Sequence, residues 1–131
     1  VISFKNAAAI SANIVLPGDW KKENSNCVDI GPKTIRHYSA IIAAAKTIIW
    51  SGPLGIVENP AYAKGSEAIA RAIIASKAFS VAGGGDTADF LASRGLIKQF
   101  NFVSTGGGAM LAFLANQPLP GLIALDNCPL V

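Results

Sequence analysis

The sequence has little of what marks a metal cluster, a disulfide scaffold or a membrane protein. Among 131 residues there are two cysteines, one histidine and one methionine. Cys27 and Cys128 lie far apart and lack the paired spacing of a zinc site, so they read as free thiols in a reducing cytosol. That reading makes the expected localisation cytoplasmic. His37 has no cysteine or second histidine beside it and carries no metal reading. No secretory signal is visible. The greasiest stretch, residues 41–50, is broken by Lys46 and is too short to span a bilayer, so no membrane role is expected. The net charge is +3, but the basic residues are scattered and only Lys21 and Lys22 are adjacent. Without a basic stripe interleaved with aromatics, nucleic acid is not an expected partner. The small excess fits an anionic ligand or chance.

What is present is apolar sequence and glycine. A hydrophobic share of 51% and a mean hydropathy of +0.43 exclude disorder and suit one domain with one core. The organising stretch is Phe79-Ser80-Val81-Ala82-Gly83-Gly84-Gly85-Asp86-Thr87, an apolar run ending in three glycines where a helix should begin. Glycine admits a ligand close to the main chain. A helix starting there aims unpaired N–H groups and its positive dipole end into the turn, which suits phosphate. Asp86 fits a hard cation such as Mg²⁺, which takes one or two carboxylates and fills its shell with water and phosphate oxygens. The alternative is a tight turn with Asp86 or Thr87 as an N-cap. Phe102-Val103-Ser104-Thr105-Gly106-Gly107-Gly108-Ala109 repeats the pattern, with Ser104 and Thr105 expected to cap the helix that follows. Two such turns after successive parallel strands open on one edge, at the carboxyl ends of the strands, where open α/β sheets bind ligands.

Along the chain, residues 4–12 read as the end of a helix and residues 13–16 as a short buried strand closed by Pro17-Gly18. Residues 21–26 are polar and read as an exposed loop. A helix over 33–46 places Ile35, Tyr38, Ile41, Ile42 and Ala45 on one buried face. Thr47-Ile48-Ile49-Trp50 reads as a strand covered on both faces, stopped by Ser51-Gly52-Pro53-Leu54-Gly55. A helix over 61–77 buries Ile69, Ile73 and Ile74, with Gly65 inside it explained by close helix–sheet packing. A strand over 79–82, a helix over 87–94 closed by Gly95, a strand over 101–104 and a helix over 107–116 follow. Residues 119–122 turn the chain before a small terminal segment. The predicted fold is α/β: a three-layer, Rossmann-like parallel sheet, incomplete, with about four strands of a larger sheet.

In order, the motifs are Leu16-Pro17-Gly18-Asp19, Asp29-Ile30-Gly31-Pro32-Lys33-Thr34, Ile49-Trp50-Ser51-Gly52-Pro53-Leu54-Gly55-Ile56-Val57-Glu58, Ala63-Lys64-Gly65, Gly83-Gly84-Gly85-Asp86-Thr87, Val103-Ser104-Thr105-Gly106-Gly107-Gly108-Ala109 and Leu119-Pro120-Gly121. This series resembles the C-terminal part of phosphoglycerate kinase, over roughly residues 16–125. The resemblance implies a glycolytic kinase that reversibly moves phosphate between 1,3-bisphosphoglycerate and MgADP, giving 3-phosphoglycerate and MgATP. It implies two Rossmann-like domains, glycerate held by the first and nucleotide by the second, in a cytoplasmic and monomeric full-length enzyme. By the same resemblance Asp86 is the Mg²⁺-linked acid, and Gly84, Gly85 and Thr87 contact the nucleotide phosphates. Gly52 and Leu54 line the nucleoside pocket, Glu58 binds the ribose hydroxyls, and Gly106, Gly107 and Gly108 face the transferred phosphoryl group. Cys27 and Val28 match a Gly-Leu pair beside the base more weakly.

The chemistry asked of these residues is consistent with their types. Phosphoryl transfer needs positioning and charge neutralisation more than covalent chemistry, so main-chain N–H groups suffice. A carboxylate such as Glu58 accepts two ribose hydroxyl protons. Two departures stand out. Ser51 replaces the family's usual asparagine, so a polar contact to the nucleotide is shortened or replaced by water. The family's phosphate-binding lysines, in a Gly-Gly-Ala-Lys segment, and its glycerate-binding domain have no counterpart here. The expectation is therefore residues 1–131 as the C-terminal part of a nucleotide-binding domain, a fragment inactive alone. The alternative is a stand-alone nucleotide- or anion-binding module without catalysis. A dinucleotide-binding dehydrogenase is disfavoured, since neither glycine turn has the Gly-x-Gly-x-x-Gly pattern.

Overall fold

A computed structural model describes residues 14–126. The chain begins with a hairpin, β1 (Trp20–Glu23) and β2 (Asn26–Ile30), paired antiparallel with Glu23 opposite Asn26. The two residues left in the loop, Asn24 and Ser25, have φ of 46° and 72°. Positive φ at both central positions is what a two-residue hairpin turn demands, and asparagine tolerates it well. Residues 21–26, expected as a loop, are thus mostly strand. The hairpin end is solvated on both sides, so it lacks the apolar alternation by which a half-buried strand is read. Only Val28, Asp29 and Ile30 of β2 are buried.

Helix α1 (Pro32–Ala44) follows, with Pro32 at a first-turn position where its missing N–H costs nothing. Ile35, Tyr38 and Ile42 pack against the core as the periodicity indicates, but Ile41 is exposed. Strand β3 (Thr47–Ser51), helix α2 (Lys64–Ser76), strand β4 (Phe79–Gly83), helix α3 (Gly85–Ser93), strand β5 (Phe102–Ser104) and helix α4 (Gly107–Leu114) make up the α/β part. The predicted helix over 61–77 is divided: Pro60–Tyr62 forms a separate tight turn before α2, and Lys77 ends α2 in the left-handed conformation. Gly95, at φ 66°, follows the end of α3 as expected.

The sheet is parallel, in the order β3-β4-β5, flanked by helices. It has three strands among the described residues, not four. Ile14, Val15 and Leu16 are exposed and belong to no ladder, because among the described residues no strand lies beside them to take their hydrogen bonds. Asn13, and the helix expected over 4–12, lie outside the described residues. Residues 119–125 also differ: they form helix α5 (Pro120–Asp126). The Pro120-Gly121 pair that signals a turn sits at the start of this helix, where proline is tolerated.

Both crossovers step in the same direction across the sheet, so α2 and α3 cover the same face. Trp50, Ala82, Ile69, Ile73, Phe90, Leu91 and Phe100 form the core there, with Trp50 edge-on to Phe90 at 6.2 Å between ring centroids. Among the described residues α4 approaches the other face, where Met110 lies over Gly83. Ile49, Phe79 and Phe102 share that face and are 46%, 55% and 57% exposed, so β3 is not covered on both sides. Gly65 is tight against the hairpin rather than the parallel sheet: a Cβ on it would stand 2.2 Å from Asp29 Oδ1 and 2.5 Å from Ile30 Cγ1. Among the described residues no helix is long and apolar enough to cross a membrane.

Candidate functional site

Parallel strands in register bring their last residues together. Ser51 pairs with Gly83, and Gly83 with Ser104, so the turns leaving β3, β4 and β5 share one edge of the sheet. The Gly84 N–H donates to the Ser104 carbonyl at 2.9 Å, binding the two glycine turns to each other. They touch so closely that a Cβ on Gly107 would fall 2.8 Å from Gly84 Cα. Gly84 has φ 101° and ψ 147°, a conformation essentially reserved for glycine. Gly85 and Gly108 are different: a Cβ on either meets nothing within 4 Å. Both line a cleft of about 240 Å³ between the turns, together with Ser51, Gly52, Asp86 and Thr87. Gly106 precedes α4 and stays outside the lining.

Neither α3 nor α4 has a side-chain cap. Asp86, Thr87, Ser104 and Thr105 therefore do not act as caps, and the first-turn N–H groups of both helices remain without side-chain partners. Thr87 is fully buried, and its Oγ1 accepts from the Gly52 N–H at 2.9 Å, joining the first turn to the second. Asp86 is exposed, and its side chain makes no hydrogen bond or ion pair with any described residue. It borders both the glycine cleft and a neighbouring one that holds Glu58, Val57 and Asp89. Among the described residues no three acidic, histidine or cysteine side chains could hold a metal by themselves.

A third cleft, about 430 Å³, separates the hairpin from the loop after β3 and is lined by Trp20, Cys27, Val28, Pro53 and Leu54. The three clefts thus surround the loop of residues 51–58, placing Gly52, Leu54 and Glu58 in different but adjacent recesses. Among the described residues no lysine or arginine lines any of them. Ser66 is a residue the motifs do not single out. It follows Ala63-Lys64-Gly65 by one position and is fully buried, with its hydroxyl accepting from the Leu54 N–H at 2.9 Å. A serine in the first turn of a helix is ordinary, and no sequence signal reveals a partner twelve residues upstream.

The family model for phosphoglycerate kinase matches residues 2–117 of the chain. The chain belongs to the phosphoglycerate kinase family. The match extends over all three clefts and both glycine turns. A curated phosphoglycerate kinase from Solibacter usitatus (strain Ellin6076) is 48% identical over 109 residues, covering 83% of this chain and 28% of that protein. The solved phosphoglycerate kinase of Coxiella burnetii is 42% identical with a TM-score of 0.70, over 77% of this chain and 26% of its own. The phosphoglycerate kinase of Pyrococcus horikoshii OT3 is 38% identical with a TM-score of 0.71, over 80% and 27% respectively. The chain spans 28% of the length of the curated relative it matches.

Proposed function

We propose that these residues supply the nucleotide side of a phosphoglycerate kinase, which transfers the acyl phosphate of 1,3-bisphosphoglycerate to MgADP, yielding 3-phosphoglycerate and MgATP, and runs in reverse. The observation that carries this is the uncapped pair of glycine turns on one sheet edge. In this reading the diphosphate lies in the cleft between them, passing close over the main chain of Gly84, whose own N–H is held by Ser104, and against the amides of Gly85 and Thr87. The nucleoside follows the loop of residues 51–58, with Gly52 and Leu54 along it and Glu58 accepting the ribose hydroxyl protons. Gly106, Gly107 and Gly108 present the start of α4 to the phosphoryl group in transit, where backbone donors stabilise its equatorial oxygens. A nucleotide oxygen forms the new bond to phosphorus as the carboxylate oxygen of the glycerate leaves.

The donor set fits Mg²⁺. One exposed, unpaired carboxylate with no supporting trio suits an ion that completes its shell with phosphate oxygens and water. Asp86 would hold it, and the ion would neutralise phosphate charge during transfer. Glycerate binding, cytoplasmic localisation and a monomeric full-length enzyme belong to the same proposal, as does inactivity of the 131-residue chain alone. A second reading is a nucleotide- or anion-binding module without catalysis, since among the described residues the clefts offer main-chain donors but no lysine or arginine to neutralise a phosphoryl group in transit.

Titration of MgADP into the chain, followed by amide chemical shifts, tests the proposal even at weak affinity. Gly52, Gly85 and Gly108 are expected to shift together and saturably. Asp86→Ala is expected to weaken MgADP binding about tenfold or more, the scale of a charged contact, and to abolish its dependence on Mg²⁺. Binding indifferent to both Mg²⁺ and Asp86 removes the metal role. Phosphoryl transfer by the isolated chain overturns its inactivity.

A further inference from the structure

The loop of residues 51–58 is irregular beyond Ser51, yet alternate amides along it are held by different parts of the protein. Gly52 N–H donates to the Thr87 hydroxyl of α3 at 2.9 Å, and Leu54 N–H to the Ser66 hydroxyl of α2 at 2.9 Å. Ile56 N–H donates to the Val28 carbonyl of β2 at 3.0 Å. The Trp50 indole, itself buried, donates to the Gly52 carbonyl at 2.7 Å. Ser66 and Thr87 are both fully buried, and α2 and α3 have no side-chain cap. A buried hydroxyl needs a partner, and the partner of each is the loop. Thr87 also lines the glycine cleft, whereas Ser66 lines none of the three clefts around the loop.

We propose that Ser66 is a positioning residue for the nucleoside, acting through the Leu54 amide. This rests on the nucleotide reading of the clefts. The Ser66 hydroxyl is the middle of three ties that hold the loop. It keeps Leu54 against the hairpin cleft and sets the approach to Glu58, four residues on, in the cleft shared with Asp86. Without the tie the Leu54 amide lacks its acceptor, and the loop relaxes toward water to satisfy it. A binding surface has to be held within about 0.5 Å of its productive geometry, so a relaxed loop loses affinity. The phosphate cleft between the glycine turns has its own bond, Gly84 N–H to the Ser104 carbonyl, and does not depend on Ser66.

The test compares MgADP with Mg-pyrophosphate, a probe that has the phosphates but no nucleoside, on the 131-residue chain and on Ser66→Ala and Ser66→Thr. Ser66→Ala is expected to weaken MgADP about five- to tenfold, the effect of one lost hydrogen bond, with pyrophosphate held within about twofold. Ser66→Thr, which keeps a hydroxyl, is expected to bind MgADP as the parent does. Hydrogen exchange at the Leu54 amide should accelerate in Ser66→Ala while amides of α2 keep their parent rates. Unchanged MgADP affinity in Ser66→Ala, an equal loss for both ligands, or exchange accelerated throughout α2 overturns the positioning role. Failure of Ser66→Ala to fold overturns it too, since the hydroxyl would then serve the fold as a whole. If the parent chain binds neither probe, the nucleotide reading fails and the positioning role falls with it. Parent binding with a normal Ser66→Ala removes the positioning role alone.

Discussion

Six glycines in two runs serve at least three different purposes, and substitution separates them. Gly83 and Gly107 are filled spaces: a Cβ on the first would stand 2.1 Å from Met110 Cε, and one on the second 2.8 Å from Gly84 Cα. Gly84 is required by its backbone angles, with φ at 101°. Gly85 and Gly108 have neither constraint and face open space. Gly84→Ala is therefore expected to destabilise the protein by about 1–3 kcal/mol, the usual cost of such a conformation for another residue. Gly85→Ala and Gly108→Ala are expected to keep thermal stability within about 1 kcal/mol of the parent while weakening MgADP, because the added methyl takes up room the ligand needs. Calorimetric unfolding and amide-shift titration of the same three variants check both halves. Loss of stability in Gly85→Ala with unchanged binding would reverse the assignment.

At the level of elements, helix starts are held from a distance. Helix α1 has Gly31 at its cap position and no side-chain cap of its own. Asp19 supplies one, accepting from the Lys33 N–H at 3.0 Å, the Thr34 N–H at 2.7 Å and the Thr34 hydroxyl at 2.7 Å. Asp29 does the same for α2 through the Gly65 N–H at 2.8 Å. Burial pushes the Asp19 carboxyl up, but the Thr34 hydroxyl, the two amides and the Lys33 charge outweigh it, leaving the pKa below the ordinary 3.8. A carboxyl lowered on folding contributes stability that is complete above its unfolded value and is lost as pH falls through the folded one. Melting temperature is expected to decline below about pH 4 in the parent and less steeply in Asp19→Asn over the same range. Parallel curves for the two proteins would show that the Asp19 charge contributes nothing. The sequence displays Asp19 within Leu16-Pro17-Gly18-Asp19, but its partners lie fourteen and fifteen residues away and no local pattern connects them.

For the whole molecule, the sheet face left largely open among the described residues is expected to govern association in solution. Ile49, Phe79 and Phe102 share it, one from each strand, and β3 has a neighbour on one side only among the described residues. A groove along that edge is lined almost wholly by apolar side chains, including Val15, Ile41, Ile42 and Ile48. An unpaired strand edge beside exposed apolar surface invites pairing with another chain. Sedimentation of the 131-residue chain is expected to show mass increasing with concentration, and a single monomeric species across the micromolar range would contradict this. Such association does not require the glycine cleft, which opens at the ends of the strands rather than along the edge of β3.

The two glycine turns, the acid between them, the β-α-β alternation and the family were legible in the residues themselves. Each rests on a local cause: a run of glycines needs no distant partner to break a strand, and 3.6-residue periodicity is internal to a helix. The hairpin at Asn24-Ser25, the exposure of residues 14–16, the helical residues 120–126 and the open sheet face were decided by the tertiary structure. So were the ties from Ser66 and Thr87 to the loop. Strands exist only where a neighbouring strand accepts their hydrogen bonds, and burial only where another surface arrives. Neither condition is written in the segment that depends on it.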